Sequence, residues 1–134
     1  MSIKNIIDES YEPNLGVPAP VITNITVQTT NTVAPINIPL TFIKTGNLCS
    51  MTMGSWSGSG NYSMVNIDMS NPALAPFKPS GELRARIMAN IGYKVWAVFY
   101  WNPSTNLANI SQSVVPSTSN WSVDNAQTIN YNLV

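Results

Sequence analysis

Residues that could do chemistry are sparse in this chain. It holds no histidine, one cysteine (Cys49) and six carboxylates. Without histidine, the commonest general base and the commonest metal ligand are both missing, and a zinc site of Cys and His ligands cannot be assembled. Asp8, Glu9 and Glu12 fall near the start; Asp68, Glu82 and Asp124 are scattered over the rest. A pair such as Asp68 and Asp124 is the minimum for acid–base hydrolysis. No nucleophile elbow, phosphate-binding loop or metal-ligand spacing accompanies it. These residues imply no enzyme, and no cofactor is expected. One cation site stays open, a calcium held by an isolated aspartate and backbone carbonyls. Cys49 cannot form an intrachain disulfide and reads as a small buried hydrophobe.

Recognition chemistry rests instead on aromatic rings. Trp56, Tyr62, Trp101 and Trp121 are the side chains that could stack on sugar faces or anchor a protein contact. The competing reading is core or inter-subunit packing. Trp56 lies in the loop-like GSWSGSG stretch, residues 54–60, and Trp121 in the loop-like stretch 114–125. With Tyr62 they are the candidate ligand contacts. Arg84 and Arg86 alternate on one strand face with Glu82 in register. They make either a solvated face with a weak ion pair or a charged ring at a subunit contact.

The bulk numbers fit a protein that works by contact. Length is 134 residues, so one domain with a real core is expected. Charged residues are 9% of the chain and net charge is zero, against roughly a quarter charged in an average soluble domain. That leaves no electrostatic footprint for nucleic acid. It also suits a surface covered by other protein. No stretch approaches the roughly 20 apolar residues of a membrane span, and the N-terminus lacks the apolar region of a secretory signal. Asn-x-Ser/Thr sequons at Asn24, Asn61, Asn109 and Asn120 read as coincidence in so Asn-, Ser- and Thr-rich a sequence.

Residues 1–20 form an extended N-terminal arm, broken by Pro13, Gly16, Pro18 and Pro20. Ile3, Ile6, Ile7 and Tyr11 mark it either as a flexible tail or as a segment that docks on a partner. From Val21 the apolar period is two. It predicts strands over 21–30, 36–44, 48–53, 62–69, 83–90, 93–101, 107–112 and 127–134. Pro39 cannot donate to a ladder, which predicts an edge or a bulge there. About eight strands, with no helix of length, make residues 21–134 a single all-β domain, an antiparallel β-sandwich. Tyr93 to Trp101 is apolar on both faces. One face belongs to the core and the other needs a second cover, such as another subunit.

Several stretches together resemble the C1q/TNF-like jelly-roll head domains that tip virus and phage fibres and decorate large-virus capsids. They begin at PLTFIKTG (39–46) and continue with LCSMTM (48–53). The proline-bounded loop NPALAPFKPS (71–80) then runs into two strands and the return strand 107–111, and the chain closes on TINY (128–131). The likeness covers residues 37–134. It departs at Asn106-Leu107, where such heads often carry a Gly-rich turn. The resemblance implies a C1q/TNF-like homotrimer about a three-fold axis, with the two-sided strand at the interface. Val95, Trp96, Val98, Phe99, Tyr100, Trp101 and Tyr131 are the residues expected there. It further implies a structural virion protein on the capsid surface: a spike, fibre head or decorating protein, made without a secretory signal. The arm would join it to other capsid or fibre proteins, and a host receptor or glycan would be a further partner. The alternative is a carbohydrate-binding module that uses the loop aromatics.

Overall fold

The structure is a computed structural model that describes residues 19–59, 64–113 and 120–133. Alternating apolar residues become ten strands: β1 (Val21–Thr29), β2 (Asn37–Thr45), β3 (Leu48–Met53), β4 (Trp56–Ser59), β5 (Met64–Asp68), β6 (Leu83–Asn90), β7 (Lys94–Asn102), β8 (Leu107–Ser111), β9 (Asn120–Val123) and β10 (Gln127–Asn132). All pairings are antiparallel, in the order β10-β3-β2-β1-β5-β8-β7-β6-β9-β4. The sheet curls on itself into a jelly-roll-like sandwich. At one closure the Gln127 side chain accepts from the Met88 backbone N–H (3.1 Å), tying β10 to β6. At the other, Gly54 N–H donates to the Pro39 carbonyl (2.8 Å), tying the β3–β4 corner to β2.

The core lies between the two halves. Its centre is aromatic: Phe42 stacks on Phe77 at 4.7 Å, and Trp101 meets Tyr131 edge-on at 6.3 Å. The Tyr131 hydroxyl donates to the Phe77 carbonyl at 2.6 Å. Burying each large side chain of this kind is worth about 1.5–3 kcal/mol. Aliphatic residues from the strands around it complete the core, among them Ile38, Val65, Ile87 and Ile110.

Three local features differ from expectation. The stretches holding Trp56 and Trp121 are not loops: they form β4 and β9 and pair with each other from Trp56↔Val123 to Ser59↔Asn120. Their glycines serve close packing. A Cβ on Gly54 would meet Pro39 Cγ at 2.8 Å, and one on Gly58 would overlap Ile36. Pro39 sits in β2, an interior strand, without a bulge, opposite Thr26. Its carbonyl faces Gly54, just past the end of β3, so its missing N–H removes no β2–β3 ladder bond. The proline-bounded loop winds into a 3-10 helix, Pro72–Phe77, capped by the Asn71 side chain on Ala73 N–H. At the point of departure from the head-domain pattern, Asn106 takes φ 56°, the left-handed conformation that glycine otherwise supplies.

Candidate functional site: the outward face of β6, β7 and β8

β7 reads apolar on both faces because its two faces do different things. Val95, Ala97, Phe99 and Trp101 point inward, and the last three are buried. Trp96, Val98 and Tyr100 point outward. Register sets their neighbours. On β6, Met88 lies opposite Trp96, Arg86 opposite Val98 and Arg84 opposite Tyr100. On β8, Ser111 lies opposite Val98 and Asn109 opposite Tyr100. Trp96 is 61% exposed, whereas Trp56, Trp101 and Trp121 are buried. It is the one exposed indole of the four in the chain. Exposed Met64 on β5 and Leu107 on β8 extend the apolar surface across the same half of the sheet.

One end of this face is charged. The Arg84 guanidinium sits 4.4 Å above the centre of the Tyr100 ring, a cation–π contact. The Tyr100 hydroxyl is held above its ordinary pKa, first by its hydrogen bond to the Glu82 carboxylate, then by partial desolvation. The Arg84 charge opposes that shift. Arg84 and Tyr100 thus form a preformed pair at one end of the row, with Trp96 and Met88 at the far end. Such a surface can stack, exclude water and pair charges.

The opposite outer face, on β10–β3–β2–β1, is built differently along its middle. Hydroxyl and amide side chains satisfy one another in cross-strand pairs: Thr52 with Thr128 (2.9 Å), Thr41 to Asn24 (2.7 Å) and Ser50 with Asn130. A row that satisfies itself offers few open partners.

Several expected site residues are placed elsewhere. Phe99, Trp101 and Tyr131 lie in the core of their own chain and Val95 packs against that core, so none of the four is on the outer face. Trp56 and Trp121 also face the core, so neither ring is presented to a ligand; the Trp56 indole N–H points at the Met53 sulfur, 3.2 Å away. Tyr62 and the arm residues Ile3, Ile6, Ile7 and Tyr11 lie outside the described residues. Met88, Leu107 and Met64 join the outward face without having been singled out in the sequence.

Among the described carboxylates, Asp68 and Asp124 are each held by hydrogen bonds of their own. Asp124 accepts from the Ser122 hydroxyl (2.7 Å) and the Asn90 amide (3.2 Å), which hold its pKa below the ordinary value. Asp68 is likewise lowered by hydrogen bonds from Ser70. Among the described residues, no three His, Cys, Asp or Glu side chains gather in a way that would hold a metal. Cys49 is buried, and desolvation raises its pKa. No helix among the described residues is long and apolar enough to cross a membrane.

No family model matches this sequence, and no curated protein matches it. Among solved structures, it is similar to the crystal structure of a reovirus attachment protein, sigma1, in complex with alpha-2,3-sialyllactose. The identity is 12%, the match covers 88% of this chain and 67% of that one, and the TM-score is 0.49.

Proposed function

We propose that this chain is a non-enzymatic head domain that self-associates through the outward face of β6, β7 and β8. The observation that carries the reading is Trp96, 61% exposed in a row with Val98 and Tyr100. A solvent-facing sheet gains nothing from an indole there, whereas a copy packed on it removes that ring from water. Trp, Tyr, Met and Arg are the side chains enriched in contact centres. The resemblance in element order supplies the three-fold arrangement and the role: a trimeric C1q/TNF-like spike, fibre head or capsid-decorating protein on a virion surface.

Replacing Trp96 with Glu tests this. The variant is expected to stay folded, because the side chain is outside the core, and to dissociate at protein concentrations where the wild type is assembled. A wild-type chain that is monomeric at micromolar concentration refutes the reading.

The second reading, a carbohydrate-binding module, rests on the same indole. It keeps Trp96 as a sugar-stacking platform, with Met88 opposite it and Arg86 one outward position further along the sheet face. It predicts a monomer whose Trp96 emission changes on glycan addition. Loss of self-association without any glycan response favours the first reading.

A further inference from the structure

β1 has a free edge. Eight of its residues, Val21 to Gln28, pair with β2, but only Gln28 and Thr29 pair with β5. Direction along the strand follows from two bonds. Thr29 N–H donates to Ile36 on the β2 side, and Thr30 N–H donates to Asn66 on the β5 side. Backbone groups alternate sides along a strand. The N–H and C=O groups of Ile22, Asn24 and Thr26 therefore point away from β2, and β5 does not reach them. Their side chains are partly or fully exposed, Ile22 at 66%. Open edges of this kind are usually covered, charged or bulged; this one is none of these among the described residues.

Beside this edge runs a groove of about 540 Å³, lined by Ala19, Val21, Thr23, Ala73, Pro76 and Phe77, with Lys44 as its one charged wall. An edge with three unused pairs of hydrogen-bonding groups and an apolar flank is a strand-addition site. The chain that precedes it starts from the groove itself, since Ala19 is part of the lining. Pro13-Asn14-Leu15-Gly16 is a reverse-turn sequence. Eighteen residues precede Ala19, and a turn there leaves residues 5–11 long enough to run antiparallel along Val21 to Val27. Residues 1–12 hold Lys4, Asp8, Glu9 and Glu12, a net charge of −2 (one positive, three negative), opposite to Lys44. A tethered strand also meets its edge at millimolar effective concentration, which favours the same chain over a separate molecule.

We infer that residues 5–11 of the same chain add an antiparallel strand to the free edge of β1, with Ile7 and Tyr11 on the groove side and Ile6 on the outward side. This assigns the isoleucines of the arm to the head itself. It does not depend on the self-association proposed for the opposite half of the sheet.

Amide hydrogen exchange on the full-length chain tests the inference. In the wild type, the amides of Ile22, Asn24 and Thr26 are expected to be protected along with those of Val21, Thr23, Ile25 and Val27. In the full-length variant Ile7→Pro with Asp8→Pro, the arm cannot pair. The three even-numbered amides should then exchange at least about ten-fold faster, while the odd-numbered ones, bonded to β2, stay unchanged. An unfolded variant would release both sets, so the alternation separates lost pairing from lost fold. Fast exchange at Ile22, Asn24 and Thr26 in the wild type overturns the inference. So does a return of their protection when the ¹⁵N-labelled variant is co-refolded with excess unlabelled wild type, because the added strand would then come from another copy. Neither result touches the role given to Trp96.

Discussion

At the scale of single residues, four tryptophans divide into three that hold the fold and one that faces out. Trp56, Trp101 and Trp121 are buried and Trp96 is exposed. In the dispersed chain, acrylamide should therefore quench one emission component, and Trp96→Phe should remove it. The other three should keep short-wavelength, poorly quenched emission. Equal quenching before and after that substitution would mean that another indole is accessible. Tyr131 carries a different prediction. Its hydroxyl satisfies the Phe77 carbonyl, and burial raises its pKa well above the ordinary value of about 10. A raised folded pKa means stability that is fully present below the unfolded value and falls as pH climbs past it. Cys49, also raised by desolvation, starts the same loss from about 9. Denaturation midpoints should fall above pH 9, and more steeply above pH 10. Tyr131→Phe should cost about 1–3 kcal/mol at pH 7, the penalty of leaving a buried carbonyl unpaired, and should flatten the upper part of that fall. A midpoint independent of pH between 8 and 11 would contradict the burial of both groups.

At the scale of elements, the glycines of β4 and of the corner before it show where sequence reading fails. GSWSGSG reads as flexible because glycine and serine favour turns, yet it contains a paired strand. Gly54 and Gly58 are small so that Pro39 and Ile36 can approach. Gly58→Ala and Gly54→Ala should each lower stability by about 1–3 kcal/mol, the range for overpacking, whereas Gly81→Ala, with open space around it, should be near neutral. Urea midpoints measure the difference; equal midpoints for the three variants would mean the corner can yield. Period-two alternation was the legible signal, and it held where strands are half-buried. β3 and β6 match the expected limits, β1, β2, β7 and β8 differ by one residue at one or both ends, and β5 ends one residue early. It was weak in four-residue β4 and β9, where glycine and serine hide the alternation. The 3-10 helix was illegible because proline spacing marks a break without fixing its shape. Half of the candidate contact face was legible for the same reason as the strands. Parity within β7 separates Trp96, Val98 and Tyr100 from Phe99 and Trp101, but a run apolar on both faces does not reveal which set turns inward.

At the scale of the whole molecule, the two outer faces differ along their middles, while Ile22, Ile43 and Leu48 are exposed at one end of the β10–β3–β2–β1 face. Along its middle, the face on β10–β3–β2–β1 is a row of Thr, Ser and Asn side chains that satisfy one another. The face on β6–β7–β8 leaves Trp96, Leu107 and, on neighbouring β5, Met64 in water. With charged residues at 9% and zero net charge, little electrostatic repulsion keeps copies apart. Association should then be driven by apolar burial and respond weakly to salt. The decisive measurement is light scattering over a dilution series of the wild type and Trp96→Glu, at low and high ionic strength. The expected result is a wild-type trimer that persists at micromolar concentration in both salts, and a folded Trp96→Glu chain with at least ten-fold weaker association, about 1.4 kcal/mol or more. A wild-type monomer, or a Trp96→Glu chain that assembles as well as the wild type, would contradict self-association through this face.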